Sequence, residues 1–461
     1  MASDATPRVL IVGAGPIGLA AALELARFGV PTTVVEKHAT TSWHPKTRNF
    51  NTRSMEITMG WGAAVYHRLR GIDTPPGWKS PIRFLHTATG EEVGRIDSLG
   101  FVGPGPAISP AEPVMSSQEL IEEILLDAAR ATGLVELRFE TEALRLLRGA
   151  EPDAEDAVLE VRRRGAAASE TLAGAALVAA DGGDSTIRAQ LGLELKGDKA
   201  LSYNVNIYFR ADIEAHLGDR SGVLFFVSTP SGRGVLQPLD ARGRWLTQVY
   251  VSPEEWSLDV FTEARAKAWV RAAAGVPGLE PEILSLGLWQ RNATVVDRFV
   301  TGRVVLCGDA AHQFPPTGGL GVNTGLQGLH NAMWKLALCV RGQAGMPLLE
   351  TYQAERRPVS QRITAQSQEN SRNVGRILNA TLAGTESGLT PEEIAMAARR
   401  YGNHLGVEFG ACYEGAAVVP DGTRPPAVED DYSDYTPSAT PGCRAPHVWL
   451  GAPDLGGARL S

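Results

Sequence analysis

Two glycine clusters and a few isolated carboxylates carry most of the chemistry legible in this chain. Gly13, Gly15 and Gly18 stand in G-x-G-x-x-G spacing, and Glu36 closes the apolar run that follows. At that spacing one glycine permits a tight turn, one lets backbone N–H groups approach a pyrophosphate, and one lets helix and strand pack closely. A helix starting there adds positive potential for the phosphates. Pro16 and Lys37 flank these positions and belong to the same candidate set. Glu36 can accept hydrogen bonds from ribose hydroxyls and would repel a 2′-phosphate, which suits FAD or NAD(H) over NADP(H). The motif alone does not separate FAD from NAD.

The second cluster is VVLCGDAAHQFPPTGGLGVN, residues 304–323. An apolar strand ends at Gly308-Asp309, and Pro315, Pro316, Gly318, Gly319 and Gly321 follow. One carboxylate and so much bare backbone suggest a ligand lying against the chain, because glycine removes the Cβ clash. A third stretch, Asp181-Gly182-Gly183-Asp184-Ser185, reads as a turn capped by Asp184 or Ser185 before a helix carrying Arg188. Alone it is no more than strand, turn and helix.

The elements that must hold these residues are legible from periodicity. Val9–Val12 is a continuous apolar strand, as in a parallel sheet covered on both faces. Ile17, Ala21 and Leu25 recur at helical spacing, Gly29 ends the helix, and Thr32–Val35 is the next strand. A short strand is expected at 177–180 and a helix from about Asn323. Gln118 opens another helix, with Ser116 or Ser117 as its cap. Residues 195–285 alternate as antiparallel strands with Gly and Pro turns. Phe225, Phe226, Gln237, Trp245, Gln248 and Tyr250 are the pocket candidates there, each equally well explained as ordinary core or surface. Residues 344–380 read as a long helix interrupted near Pro358. Residues 415–461, rich in Pro, Gly and Asp, read as a linker.

Composition excludes several classes. The 461 residues are enough for two or three domains, and 43% hydrophobic with 21% charged residues is ordinary globular composition. The net charge of −8 argues against nucleic acid or an anionic membrane as partner. No apolar run reaches the roughly 20 residues of a membrane-spanning helix. The N-terminus lacks a basic segment before its apolar run, so the expected compartment is the cytoplasm. Cys307, Cys339, Cys412 and Cys443 are scattered with no C-x-x-C, so neither a disulfide framework nor a zinc site is expected. The same absence weighs against a flavin disulfide reductase. No second G-x-G-x-x-G follows a strand, so a nicotinamide would have to visit transiently.

The order G-x-G-x-x-G, D-G-x-x-S-x-x-R (Asp181, Gly182, Ser185, Arg188) and G-D-A-A-H (Gly308 to His312) resembles the group A flavoprotein aromatic hydroxylases over about residues 7–380. P-K-T-R-N-F-N-T-R-S-M-E (45–56), Y-Q-A-E-R-R-P-V (352–359) and P-G-x-R-A-P-H (441–447) are similar to the phenol hydroxylase and natural-product tailoring branch. The resemblance implies the p-hydroxybenzoate hydroxylase fold: a Rossmann-like α/β FAD-binding domain, an inserted antiparallel substrate sheet, a long C-terminal helix and a truncated C-terminal extension. It implies FAD domain segments 1–80, 105–194 and 285–345, and a sheet domain from 81–104 and 195–284. A helical region over 346–414 and a thioredoxin-like stub over 415–461 complete the expected division.

The resemblance further implies non-covalent FAD, with NADPH or NADH as transient cosubstrate. Arg48, Gln118, Asp181 and Asp309 would hold FAD, Asp309 at the ribitol. Asp181, Gly182 and Arg188 would serve both FAD and NAD(P)H. Pro316, Gly319, Gly321, Val322 and Asn323 would line the flavin ring, with Pro316 and Gly319 nearest the chemistry. From the alternation of the sheet, not from the resemblance, Phe226, Gln237, Trp245 and Tyr250 are the residues expected to face substrate, and His312 reads as structural rather than a proton carrier. The implied reaction is hydroxylation of a phenolic or polyketide-like aromatic through a flavin C4a-hydroperoxide, with O2 and a base that the sequence does not identify. The chain would be a monomer or homodimer. A flavin oxidase or dehydrogenase of the same fold, and a flavin-bound ligand binder, are the competing readings.

Overall fold

The computed structural model describes residues 7–42, 44, 45, 48–383, 388, 390–448, 450, 451, 459 and 460. The first half of the chain supplies β1 (Val9–Val12), α1 (Pro16–Arg27), β2 (Thr32–Val35), α2 (Thr52–Met59), β3 (Ile82–Leu85), β4 (Glu92–Ile96), α3 (Gln118–Ala131), β5 (Val135–Arg138), β6 (Ala176–Ala179) and α4 (Thr186–Gln190). There follow β7 (Leu195–Arg210), β8 (Leu224–Thr229), β9 (Gly232–Pro238), β10 (Arg244–Val251), α5 (Glu263–Ala274) and β11 (Glu282–Val296). The last are β12 (Val300–Thr301), β13 (Val304–Leu306), β14 (His312–Gln313), α6 (Gly321–Val340), α7 (Met346–Ala383), α8 (Pro391–Gly402) and α9 (Leu405–Phe409).

Two sheets organise these elements. The first has the order β12–β13–β6–β1–β2–β5 and is parallel except at its β12 edge. Its central strands are buried throughout: α1 packs on them, and so does a small antiparallel sheet of the strands Thr141–Arg148, Ala157–Arg163 and Glu170–Gly174, whose Ala157, Leu159 and Val161 join the same core. The second has the order β14–β11–β7–β10–β9–β8–β3–β4 and is antiparallel except where β8 meets β3. The long strands β7 and β11 pair from Leu195↔Val296 to Arg210↔Glu282, so they carry the chain out of the first half and along the second sheet. The boundary expected between 284 and 285 therefore falls inside β11. On the second sheet Val205, Ile207, Phe209, Phe225 and Trp245 pack with Ala266, Trp269 and Val270 of α5.

Three expectations need correction. The helix α7 runs through Pro358 without interruption. Proline removes one backbone hydrogen bond, but contacts pin both halves. Before it, Arg356 donates to the Tyr413 hydroxyl at 3.0 Å; after it, the Ser367 carbonyl accepts from Thr317 Oγ1 at 2.7 Å. Second, Cys412 and Cys443 form a disulfide across 31 residues. Separation hid this pair, since only the fold brings them together. Third, residues of the expected linker pack back onto the body. Tyr432 is buried, and Arg444 bonds the Glu56 carboxylate of α2 and the Ile108 carbonyl. Among the described residues, no helix is long and apolar enough to cross a membrane.

Candidate active site

The glycine turn after β1 is built as its spacing requires. Gly13 takes φ +100°, and a Cβ at Gly18 would lie 1.9 Å from the Gly13 carbonyl oxygen. Helix α1 starts behind Gly15 with Pro16 in its first turn and has no side-chain cap. A Cβ at Gly15 would meet nothing within 4 Å, so the turn opens outward. Across it, the Glu36 carboxylate accepts the Ala14 N–H at 2.9 Å through one oxygen and the His38 N–H at 2.9 Å through the other. Each oxygen keeps lone-pair capacity for a hydroxyl donor. Lys37 is exposed next to it.

The second glycine cluster packs beside the first: a Cβ at Gly308 would lie 2.9 Å from the Ile17 side chain of α1. Asp309 is exposed in the short turn Gly308–Ala310 that leaves β13. The loop from Pro315 to Leu320 then folds over, with a turn closed by Gly319 N–H to the Pro316 carbonyl at 2.9 Å. Pro316 is exposed, whereas Thr317 is buried and donates to the Ser367 carbonyl at 2.7 Å. Helix α6 begins at Gly321 without a side-chain cap, and its first hydrogen bond runs from Thr324 N–H to the Leu320 carbonyl. The preceding N–H groups of Gly321, Val322 and Asn323 form an electropositive end. Open space surrounds a Cβ at Gly321, whereas one at Gly319 would strike the Asn49 side chain at 2.6 Å. The unobstructed backbone is thus at Gly321, and Gly319 is required by the packing of the loop.

Several expected ligands turn out to be committed to the protein. Asn323 is buried; its Oδ1 accepts from Asn51 N–H at 2.9 Å and Ser54 Oγ at 2.7 Å. Its Nδ2 donates to the Gly319 carbonyl at 2.8 Å and the Asn49 carbonyl at 3.3 Å. Only its backbone N–H is left for a cofactor. Asp181 accepts from Ser185 Oγ and Ile187 N–H, and Ser185 caps α4 by accepting from Arg188 N–H. Arg188 donates to the Ala310 and Gly183 carbonyls, tying the D-G turn to the G-D turn. Gly182, at φ +84° with open space at its Cβ, is the exposed backbone of that motif. Gln118 is buried and donates to Glu122 at 2.6 Å. Ser117 holds the cap position of α3 but its hydroxyl does not cap, contrary to expectation.

The second sheet carries the substrate candidates. Its register sorts the substrate candidates by face, since alternate residues point opposite ways. Phe225 and Trp245 lie in the α5 core, and the Trp245 indole donates to Glu214 at 3.1 Å. Neither can line the cavity, which corrects the expectation for Trp245. Phe226, Gln237, Gln248 and Tyr250 occupy the other face. Phe226 stacks on Phe84, with centroids 5.4 Å apart, and Tyr401 of α8 leans on it. Arg48 reaches this face and donates to the Pro238 and Val223 carbonyls. Burial pushes its guanidinium down, to about 9, which leaves it charged at neutral pH.

Alternation also exposes residues that inspection of motifs missed. Asn204, Asn206 and Arg291 share this inner face with Tyr250. The Arg291 Nη1 donates to Ser371 Oγ at 2.5 Å, while its Nε is buried without a partner. Burial pushes the Tyr250 phenol up, and that of Tyr401 too, so both remain donors. His312 is buried between Phe299 and Phe314; burial pushes it down to about 3, so it is neutral and structural.

The chain is similar to known proteins over most of its length. The FAD binding domain family matches residues 6–367. A putative polyketide hydroxylase of Streptomyces halstedii is 35% identical over 447 residues, covering 96% of this chain and 76% of its own. A 2,4-dichlorophenol 6-monooxygenase of Delftia acidovorans is 30% identical over 481 residues, covering 96% and 80%. The crystal structure of the flavin-dependent monooxygenase PieE with FAD and substrate superposes with a TM-score of 0.88 at 32% identity, covering all of this chain and 83% of PieE.

The chain belongs to the class A FAD-dependent monooxygenases. Its cofactor is FAD, and the residues present fit it. Two helix starts, behind Gly15 and at Gly321, lack a side-chain cap, and a Cβ at either glycine would meet nothing within 4 Å. The Glu36 and Asp309 carboxylates stand beside the two turns. A dinucleotide with a central pyrophosphate and hydroxylated chains complements that donor and acceptor set.

Proposed function

We propose that this monooxygenase hydroxylates the phenolic ring of a polyketide-like aromatic, held between the inner face of the second sheet and the Pro315–Gly321 loop. The observation that carries this reading is the composition of that face. Two guanidiniums, Arg48 and Arg291, meet phenols there, Arg48 beside Tyr401 and Arg291 beside Tyr250; the titratable neighbours of the guanidiniums are these neutral phenols rather than carboxylates. The names of its relatives, a polyketide hydroxylase and a dichlorophenol monooxygenase, are consistent with it.

When bound, FAD supplies the redox chemistry, using NAD(P)H and O2 to deliver one oxygen atom. The chain supplies binding, orientation and electrostatics. Glu36 would hold the adenosine ribose and Asp309 the ribitol. The N-terminus of α6, at Gly321 to Asn323, would face the electron-rich edge of the flavin and favour negative charge there. Arg48 and Arg291 favour an ionised ring oxygen, and a phenolate is the more nucleophilic form. Tyr250 and Tyr401 donate hydrogen bonds and orient it. Phe84 and Phe226 exclude water from one side.

The test uses the full chain loaded with FAD, NADPH or NADH, air and a panel of phenols and hydroxylated polycyclic aromatics. The expected result is aromatic-stimulated NAD(P)H consumption and a product heavier by one oxygen atom. Consumption matched entirely by hydrogen peroxide, with no oxygenated product from any aromatic, would support the oxidase reading instead.

A further inference from the structure

The inner face of the second sheet carries amides whose oxygens the fold does not use, although Asn204 Nδ2 donates to Ser202 Oγ at 3.0 Å. Val205, Ile207 and Phe209 of β7 point into the α5 core, so Asn204 and Asn206 point the other way. Asn206 lies opposite Gln248 of β10, and Asn204 opposite Tyr250. Gln237 of β9 extends the patch one row further, opposite Leu246. Asn204 is 0% exposed and Asn206 5%, yet the Oδ1 atom of each is buried without a hydrogen-bond partner. A carboxamide left unpaired in an interior is destabilising, and one that persists calls for an explanation. Two on adjacent same-face positions of one strand, with a third amide across the ladder, form a pattern rather than a packing accident.

The spacing of the pattern selects its ligand. Same-face neighbours stand roughly 5 Å apart across the ladder and roughly 7 Å apart along a strand. A single ring with one hydroxyl can satisfy one such amide. A fused-ring aromatic with several oxygens along one edge can satisfy two or three at once, through hydroxyl donors and carbonyl acceptors. We propose that Asn204, Asn206 and Gln248 form a recognition wall for a multiply oxygenated, fused-ring aromatic, and that they set the preference of the enzyme for it over simple phenols. The inference rests on the hydroxylase reading above and narrows its substrate class.

The experiment uses FAD-loaded full-length protein and two probes. One is a dihydroxyanthraquinone with both hydroxyls and a carbonyl on one edge; the other is a naphthol with a single hydroxyl. Binding is read from perturbation of the flavin absorbance spectrum, and stability from Tm. Wild type should bind the anthraquinone at least tenfold more tightly. Asn206→Leu should weaken anthraquinone binding by roughly five- to tenfold, the effect of one lost hydrogen bond, and change naphthol binding much less. Its Tm should hold or rise, because an unpaired amide has been replaced by an apolar group of similar size. A lowered Tm with the preference intact would make Asn206 a structural residue and overturn the proposal. Equal weakening for both probes, or no preference in wild type, would overturn it as well. Gln248→Met carries the same comparison should Asn206→Leu fail to fold. Hydroxylation of the naphthol in preference to the anthraquinone would sink the wall and leave the hydroxylase reading standing. Selective anthraquinone binding with no aromatic ever hydroxylated would do the reverse.

Discussion

Asp309 and Glu408 are both single carboxylates, and their surroundings give them opposite uses. Asp309 is exposed at the edge of the cofactor space, where it can accept charge-assisted hydrogen bonds from hydroxyls. Such bonds contribute about 1.5–3 kcal/mol each, so Asp309→Ala should weaken FAD binding by tenfold or more, measured by titrating apoprotein with FAD. An unchanged dissociation constant in a folded variant would reject it as a ligand. Glu408 is 4% exposed, accepts from the Thr52 and Arg53 N–H groups, and leaves Oε2 without a partner. Burial pushes its carboxyl up to about 8 from an ordinary 4.5. The folded protein therefore keeps a proton that the unfolded chain has already released. The stability tied to that proton is complete below about pH 4.5 and is lost as pH rises toward 8. Glu408→Gln keeps the shape and cannot ionise, so its Tm relative to wild type should climb between pH 5 and 8; a flat difference would contradict the assignment. His312 and His404, pushed down by burial to about 3 and about 4, oppose this trend below their ordinary 6.5, and they cancel in that comparison. Asp309 was legible because it sits in a G-D turn at a strand end. Glu408 was not, because its partners lie more than three hundred residues away and only folding buries it.

At the scale of elements, the cofactor loop is held by side chains that sequence reading had assigned to the cofactor. Asn323 in the first turn of α6 joins the Gly319 carbonyl, the Asn49 carbonyl and the start of α2 at Asn51 and Ser54. Asn323→Ala would leave these buried groups unpaired, and a loss of about 2–4 kcal/mol is expected. Chemical denaturation of the apoprotein measures it directly, before any effect of FAD enters; a loss below about 1 kcal/mol would show that the loop stands without this pin. The D-G-x-x-S-x-x-R motif behaves alike: it builds a capped turn and ties it to Ala310 through Arg188. Local periodicity revealed the strands and helices around both loops, with β1 and β2 found at the positions expected. That Trp245 and the pair Gln248 and Tyr250 occupy opposite faces was also available, because 245 differs in parity from 248 and 250 along one strand. Which of the two faces is turned away from the cofactor is decided by α5, whose docking no local pattern records.

The whole molecule is bound together by its last described stretch, which composition alone presents as a linker. Polar and Pro-rich sequence gave no periodic signal there, yet its contacts are long-range and specific. Arg444 stacks over Phe409 and bonds Glu56 on α2. Tyr413 accepts from Arg356, which also donates to the Thr324 carbonyl at the start of α6. Arg444 and Tyr413 each adjoin one half of the Cys412–Cys443 disulfide, and Tyr413 N–H bonds the Gly442 carbonyl inside the closed loop. The bridge thus fixes together two arms that brace α2 and α6, the elements carrying the cofactor loop. Closing a loop of 31 residues removes unfolded-chain entropy equivalent to about 3–4 kcal/mol at most. Replacing both cysteines by serine, or reducing the protein under native conditions, should therefore lower Tm by several degrees. FAD should also be lost more readily, because the arms no longer hold α2 and α6 in concert. Tm and flavin release by fluorescence, compared for oxidised, reduced and double-serine protein, decide the matter. Equal Tm in all three would separate the disulfide from the stability of the fold. Reduced Tm with unchanged flavin retention would confine the bridge to holding the C-terminal stretch and detach it from the cofactor loop.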